Sequence, residues 1–166
     1  MNRVQIDRAN LADISTISEI KKKVWLTTYP NLIAGIDKKD VLAKDFNQEE
    51  RQRPRNIKSK NWRYWLAKKD GRVVGYLCAI KKKNNRGAIK LIHVLPECQG
   101  EGLGSALFRQ ALNWLSGRKV FLQVAKDNFA AIEFYKKFNF SLVGQGESIK
   151  IGNKKIETLK MMKDNT

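Results

Sequence analysis

The chain has few of the residues from which metal centres, disulfides and membrane segments are built. Its two cysteines, Cys78 and Cys98, do not show the spacing of a zinc site or of a redox dithiol. No apolar run reaches the roughly 18 residues that a membrane span needs. The N-terminal stretch MNRVQIDRAN lacks the apolar segment of a signal peptide. We therefore predict reduced, partly buried thiols, no metal and no membrane contact, and a cytoplasmic location.

Acidic residues are also scarce, since 16 of them stand against 33 lysines and arginines and leave a net charge of +17. Such a surface attracts polyanions over long distances. The basic residues are scattered in short runs, however, and neither helix-turn-helix nor zinc-finger spacing accompanies them. Nucleic acid is therefore an unlikely main partner, and a solvated surface or a phosphorylated cofactor accounts for the charge as well.

The length and the apolar content predict one folded domain over residues 1–166, because 166 residues of which 42% are hydrophobic can bury a sizeable core. In the first part of the chain, apolar residues at every second position indicate a strand, and apolar residues that recur every three or four positions indicate helices. The Tyr29-Pro30-Asn31 stretch is expected to end the first helix. The predicted elements are a strand over 3–8, a helix from Asn10 or Asp13 to about Thr27, and a helix from Asp37 through Phe46. The polar residues 47–61 are expected to be either a mobile connection or a ragged helix end.

In the rest of the chain, strands cluster first and then alternate with helices, which predicts an α/β sheet of mixed direction. A hairpin is expected at Asp70-Gly71, followed by an antiparallel strand that ends at Val94. The stretch KVFLQVA reads as a strand buried on both faces. The predicted remainder is a helix after the glycine loop that ends at Gly117, a helix within DNFAAIEFYKKFNF, and a closing hairpin of SLVG and IETLKMM through Gly152-Asn153.

The stretch QGEGLG, residues 99–104, joins an apolar strand to an amphipathic helix. Glycines leave the backbone open to a ligand, and unpaired N–H groups at a helix start attract anions. A pyrophosphate fits this chemistry, although a tight strand-to-helix turn would look the same. The stretch matches neither the P-loop nor the dinucleotide fingerprint, because no Lys-Ser/Thr pair follows and the last glycine spacing differs.

Two segments carry a closer resemblance. VLPECQGEGLG resembles the acyl-CoA loop of the GNAT superfamily of N-acetyltransferases, V-x-P-x-x-[QR]-x-x-G-x-[GA], through Val94, Pro96, Gln99, Gly102 and Gly104. DNFAAIEFYKKFNF resembles that family's N-x-x-A-x-x-F-Y-x-x-x-G-F segment through Asn128, Ala131, Phe134, Tyr135 and Phe140. Asn139 replaces the usual glycine, and both residues tolerate a left-handed turn. The closing strands resemble those of the polyamine-acetyltransferase-like members.

The resemblance implies a mixed, mostly antiparallel central sheet flanked by helices, in which the strand ending at Val94 splays from the strand near Phe121. It also implies an acetyl-CoA-dependent enzyme that transfers an acetyl group directly to a primary amine of a small molecule or peptide. Family members are often dimers, so we expect a monomer or a homodimer. The alternative is a non-catalytic protein that uses the same fold to bind acyl-CoA or nucleic acid.

The resemblance also assigns functional roles to individual residues. Tyr135 would protonate the departing thiolate, since a phenol with a pKa near 10 can do so; a core tyrosine on an amphipathic helix is the alternative. Asn128 would hold the pantetheine arm, cap its helix, or do both. The expected cofactor-binding residues are Ile92, His93, Val94, Gln99, Gly100, Glu101, Gly102, Leu103, Gly104, Ser105, Asn128, Ala131 and Tyr135.

The general base and the acceptor site are less defined. The strand before the loop carries no acid where many family members have a glutamate. Strand alternation places His93, the only histidine, opposite Ile92 and Val94 unless a bulge re-aims it, so a packed or surface histidine is favoured. Glu97, Asp37 and a water chain stay open as bases.

Trp25 and Tyr29 lie one helical turn apart and would either hold the acceptor amine or fasten the first helix to the sheet. A net charge of +17 repels a polyamine. The charge therefore favours an acidic or neutral amine, or a protein N-terminus, as the acceptor.

Overall fold

The structure is a computed structural model that describes residues 4–44 and 47–166. In this part of the chain the helices are α1 (Ile14–Leu32), α2 (Lys38–Ala43), α3 (Asn47–Lys58), α4 (Leu103–Trp114) and α5 (Phe129–Lys137). The strands are β1 (Val4–Arg8), β2 (Trp62–Lys69), β3 (Arg72–Lys82), β4 (Arg86–Val94), β5 (Arg118–Ala125), β6 (Ser141–Gln145), β7 (Ile149–Ile151), β8 (Lys154–Ile156) and β9 (Thr158–Asn165). None of these helices is long and apolar enough to cross a membrane.

The central sheet has seven strands in the order β1-β2-β3-β4-β5-β9-β6, and every neighbouring pair except β4 and β5 is antiparallel. The parallel pair is short, because pairing of β4 with β5 stops at Ala88 and Phe121. Lys90 is an extra residue on β4, since Cys78 pairs with Leu91 and Ala79 with Ile89. A bulge bends its strand. The predicted mixed sheet and its splayed strand pair are therefore confirmed.

Helices cover both faces of the sheet. Helix α1 contacts β3 and β4, α3 contacts β2, and α4 contacts β1 to β4. Neighbouring side chains on a strand point to opposite faces. A Cβ on Gly104 of α4 would lie 4.0 Å from Ile92 Cδ1, whereas the charges of Lys21 in α1 and Arg53 in α3 act on His93. The predicted alternation of Ile92 and His93 is confirmed.

An aromatic cluster joins α4 to α5. The ring of Phe108, a fully buried residue of α4, lies 5.3 Å from that of Phe134, 5.6 Å from Tyr135, 4.7 Å from Phe138 and 5.6 Å from Phe140. Asn139 adopts the expected left-handed turn, with φ of 63°, which turns the chain from α5 back toward this cluster. The cluster holds Tyr135 in a fixed position on the inner face of α5.

The predicted end of the first helix and the prediction for residues 47–61 need correction. Helix α1 continues through Pro30 to Leu32 instead of ending near Thr27, because Tyr29 and Leu32 beyond that point pack with Trp25 in a second hydrophobic cluster. Residues 47–58 form a helix of their own, α3, and are neither a mobile connection nor the ragged end of the preceding helix. That helix carries Arg53, a fully buried residue whose guanidinium donates to Ser18 Oγ. In both cases tertiary contacts outweigh the local preference of a proline-containing sequence against a helix.

Two strand predictions also change in detail. SLVG and the last strand do pair, as β6 with β9, but the Gly152-Asn153 turn belongs to a separate small hairpin of β7 and β8 inserted between them. Strand β5 is not buried on both faces along its whole length: Val120, Leu122 and Val124 are buried on one face, whereas Gln123 on the other face is exposed. Arg3 and Phe46, at the ends of predicted elements, lie outside the described residues.

Asp37 caps α2, as expected of the residue predicted to start this helix. Its side chain accepts a hydrogen bond from Asp40 N at 2.9 Å, and the Asp40 side chain accepts one from Asp37 N at 3.0 Å. We expect Asp37→Ala to lower the free energy of unfolding by about 1 kcal/mol, the usual cost of a lost cap. Urea denaturation measures this, with Lys39→Ala, an exposed residue of the same helix, as the control. Equal stability of the two variants would contradict the capping role.

Candidate functional site

A groove opens where β4 and β5 separate. It has a volume of about 1060 Å³ and is lined by residues of α1, β4, the glycine loop, the start of α4, β5, α5, the segment between β6 and β7, and β9. Because of the bulge at Lys90 and the loss of pairing beyond Ala88, the second half of β4, residues 89–94, pairs only with β3 among the described strands. The backbone of that half therefore faces the groove with unpaired groups.

The glycine loop at the upper end of the groove can hold an anion. Gly100 and Gly102 have φ of 80° and 83°, and a Cβ on either would meet nothing within 4 Å. Among residues 4–44 and 47–166, no carbonyl accepts from the amides of Leu103, Gly104 and Ser105. These N–H groups and the positive end of the α4 dipole converge on open space, which favours a negative charge there.

Two side chains anchor the loop. Gln99 Nε2 donates to Val94 O at 2.9 Å, which fixes the loop to the end of β4. Glu101 forms an ion pair with Lys69, with 2.6 Å between Oε2 and Nζ. The Glu101 side chain consequently does not line the groove, unlike the other predicted cofactor residues. The residues of that set that do line it are Ile92, His93, Val94, Gln99, Gly100, Gly102, Leu103, Gly104, Ser105, Asn128, Ala131 and Tyr135.

Tyr135 and Asn128 lie on the wall formed by α5. Tyr135 is buried, and this burial, with a smaller contribution from Tyr29, raises its pKa above the usual value. Its phenol therefore stays protonated at neutral pH and can donate. Asn128 Oδ1 accepts from Ala131 N at 3.2 Å, so the residue caps α5 while it lines the groove.

His93 is unsuited to act as a base. Burial, with smaller contributions from Lys21 and Arg53, lowers its pKa to about 3. Its Nδ1 lies 3.0 Å from the hydroxyl oxygen of Tyr76, a fully buried residue. A histidine with so low a pKa takes up a proton too weakly to activate an amine at neutral pH. The structure thus supports the packed histidine that strand alternation favoured.

We expect the His93 imidazole to stay neutral from pH 8 down to pH 5 in the folded protein. Since the unfolded chain protonates near pH 6.5 and the folded one near 3, the unfolded state binds more protons in between, and stability falls as the pH falls through this window. With one histidine in the chain, the imidazole C–H signal in proton NMR is unambiguous. A titration midpoint near 6.5 would contradict this assignment.

The two other residues that the sequence leaves open as bases, Glu97 and Asp37, are not among the residues that line the groove. Glu97 is exposed and faces Arg72 at 3.9 Å, and Asp37 caps α2. Among the described residues, the one carboxylate that lines the groove is that of Glu147, between β6 and β7. Sequence reasoning missed it, because nothing in GQGES marks the segment as part of a site far away in the chain.

Trp25 and Tyr29 both line the groove and contact each other, with ring centroids 4.4 Å apart. Trp25 is buried in the second hydrophobic cluster, and the ammonium groups of Lys21 and Lys44 lie 5.6 Å and 5.4 Å from its ring centroid. The chain's own lysines thus surround Trp25, which favours its fastening role over the binding of a further cation. Tyr29 is only partly buried, whereas Trp25 is buried, so Tyr29 is the better placed of the two to meet a ligand. Burial raises the pKa of Tyr29 to about 12.

The described residues contain no group of three or more histidine, cysteine, aspartate or glutamate side chains that could hold a metal ion. Both cysteines are reduced and buried. Burial raises the pKa of the Cys78 thiol to about 12, so it is inert at neutral pH.

Comparison with known proteins identifies the family. The sequence model of the Acetyltransferase (GNAT) family matches residues 36–140. A mycothiol acetyltransferase of Streptomyces griseus is 34% identical over 82 residues, which cover 47% of this chain and 27% of that protein. The N-alpha-acetyltransferase RimI of Mycobacterium tuberculosis is 31% identical over 93 residues, 54% of this chain and 59% of that protein. The chain therefore spans only part of the length of these relatives.

Solved structures share the fold. The ribosomal-protein-S18-alanine N-acetyltransferase of Escherichia coli superposes with a TM-score of 0.74 at 15% identity, over 96% of this chain and 92% of that one. The PaiA N-acetyltransferase of Thermoplasma acidophilum, solved in complex with coenzyme A, also gives 0.74, at 16% identity over 95% and 98%. With the family model matching more than half of the sequence, this chain belongs to the Acetyltransferase (GNAT) family.

Proposed function

We propose that this protein is an acetyl-CoA-dependent N-acetyltransferase that transfers the acetyl group directly to a primary amine of a small molecule or peptide. One observation carries the proposal: the buried, protonated hydroxyl group of Tyr135 lines the same groove as the open amides of the glycine loop. One end of this groove can hold a phosphorylated cofactor while its wall supplies a proton. Monomer or homodimer and a cytoplasmic location remain our expectations.

The residues present fit acetyl-CoA. The positive φ of Gly100 and Gly102, the open space at their Cβ positions and the unpaired amides of α4 suit a pyrophosphate. The unpaired backbone of β4 around Ile92 and Val94 suits the amides of a pantetheine arm, and Asn128 lies across the groove from it. When bound, acetyl-CoA supplies an acetyl thioester. Glu101 fixes the position of the loop through its ion pair with Lys69.

Tyr135 is proposed as the general acid. Because its pKa is raised, it holds its proton at neutral pH and can deliver it to a departing thiolate. Its ring is fixed by Phe108 and Phe134, with centroid distances of 5.6 Å and 5.5 Å. A fixed donor needs no reorganisation during the reaction, which favours its use as an acid.

The acceptor is proposed to be a neutral or acidic amine rather than a polyamine. Among the described residues, the groove is lined by five cationic side chains and one carboxylate; the cationic residues are Lys82, Arg86, Lys90, Lys137 and Lys160. Arg86 and Lys160 both lie over the ring of Phe121, at 5.2 Å and 5.0 Å from its centroid. Several like charges in one groove repel a multiply charged amine and attract an acceptor that carries a carboxylate.

The experiment is thiol release from acetyl-CoA with a panel of polyamines, aminoglycosides, amino acids and short peptides. We expect release with amino acids or peptides, with acidic members faster than polyamines. Tight acetyl-CoA binding without release for any acceptor would overturn the enzyme and leave the non-catalytic binding protein. Duplex DNA binding with steep salt dependence in such a protein would identify the nucleic-acid version of that alternative.

A further inference from the structure

We propose that Glu147 is a catalytic residue whose carboxylate binds the ammonium group of the acceptor and takes its proton. This inference rests on the proposed acetyl transfer and names the base that the reaction needs. It is carried by the position of Glu147 in the groove, by its fixed backbone and by the charges around it.

The carboxylate of Glu147 has no competing role. It is the one acidic group in the groove lining of the described residues. No lysine or arginine of the described chain lies within ion-pair distance of it, whereas Glu101 pairs with Lys69 and Glu157 with Lys126. An exposed, unpaired carboxylate at a groove wall is available to an incoming cation.

The backbone of Glu147 is held on two sides. Its N–H donates to Gln123 Oε1 at 2.9 Å, and its carbonyl accepts from Thr158 Oγ1 at 2.7 Å. Gln123 and Thr158 belong to the paired strands β5 and β9 and themselves line the groove. The segment between β6 and β7 is thereby fastened to the floor of the groove.

Gly146 permits this close approach. Its N–H donates to Thr158 O at 2.9 Å. A Cβ at this position would clash with Thr158 Oγ1 and would lie 2.6 Å from Gln123 Oε1, so that a larger residue would displace these two side chains. The segment therefore lies directly on the two side chains that orient Glu147, which limits where its carboxylate can reach.

The surrounding charges favour the proposed step. An ammonium entering this groove meets cations such as Lys160 and Arg86, and Glu147 is the group that attracts it. Like charges nearby disfavour the charged form of an amine. In the step, one N–H bond of the ammonium breaks, its proton bonds to a Glu147 oxygen, and the electron pair stays on nitrogen. The exposed carboxyl group then returns the proton to water.

The test compares Glu147→Gln with Glu157→Gln, a control that removes a neighbouring carboxylate outside the groove lining. With the fastest acceptor of the panel, we expect Glu147→Gln to lower kcat/KM about 100-fold, the lower range for a lost general base. We expect Glu157→Gln to stay within about twofold of wild type, and Glu147→Asp to recover part of the loss. The dissociation constant of acetyl-CoA, measured by calorimetry, should be unchanged in all three variants.

A comparison of two acceptors distinguishes removal of the amine's proton by Glu147 from electrostatic attraction of the ammonium group to it. Ethylamine is cationic at neutral pH, whereas trifluoroethylamine is mostly neutral and needs no base before attack. We expect the loss in Glu147→Gln to be much smaller for trifluoroethylamine than for ethylamine. Equal losses, or wild-type rates in Glu147→Gln, would overturn the assignment of Glu147 while acetyl transfer itself stands. Absence of thiol release by the wild type with every acceptor would overturn the proposed function, and this assignment with it.

Discussion

Tyr135→Phe should lower kcat by about 1000-fold, the middle of the range for a lost general acid. Phenylalanine keeps the ring contacts with Phe108, Phe134 and Phe140, so only the proton donor disappears. The affinity for acetyl-CoA should stay within about twofold, because the hydroxyl acts on the departing group and adds little to ground-state binding. Rapid thiol-release kinetics together with calorimetric titration of acetyl-CoA separate the two quantities.

Tyr64→Phe is the matched control. Tyr64 is also buried, and burial also raises its pKa, but it is outside the groove lining of the described chain. We expect its kcat to match that of the wild type. Because the pKa of Tyr135 is raised, its ionisation should not lower the wild-type rate between pH 7 and 10. A Tyr135→Phe enzyme with wild-type kcat at every pH would refute the general-acid assignment.

Gly102→Asp should weaken acetyl-CoA binding by about 1000-fold, since like charges brought together cost several kcal/mol. Gly102 is the N-cap of α4, with φ of 83°. A carboxylate here accepts from the free amides of the helix start and repels a pyrophosphate that needs the same amides. The dissociation constant of acetyl-CoA, measured by calorimetry, reports the loss.

Gly117→Asp controls for strain and for added charge. Gly117 has nearly the same backbone angle, φ of 76°, and a Cβ there also meets nothing within 4 Å. It follows the other end of α4 and does not line the groove. We expect wild-type acetyl-CoA affinity in Gly117→Asp. Undiminished affinity in Gly102→Asp would show that the glycine loop does not receive the phosphates.

Several turns and helix caps of this protein could be predicted from the sequence, because they depend on local interactions. The Asp70-Gly71 hairpin, the capping of α2 by Asp37 and of α5 by Asn128, and the left-handed turn at Asn139 depend on a few neighbouring residues. The glycine loop is equally local, because a strand, three glycines and a helix start predict an anion site or a tight turn, and the resemblance to the family's loop favours the anion site. Because these features depend on few neighbouring residues, their spacing in the sequence was enough to predict them.

Long-range packing determined the rest. The path of α1 through Pro30, the helix that carries Arg53 and the inserted β7–β8 hairpin depend on partners distant in the chain. The chemistry of the site divides in the same way. The sequence by itself predicted the glycine loop, Tyr135 and Asn128 as site residues, because contiguous motifs that resemble those of the family carry them. Only the tertiary structure gave His93 its low pKa, placed two lysines against Trp25 and brought Glu147 to the groove. The reason is that burial and electrostatic environment depend on residues that come together only when the chain folds.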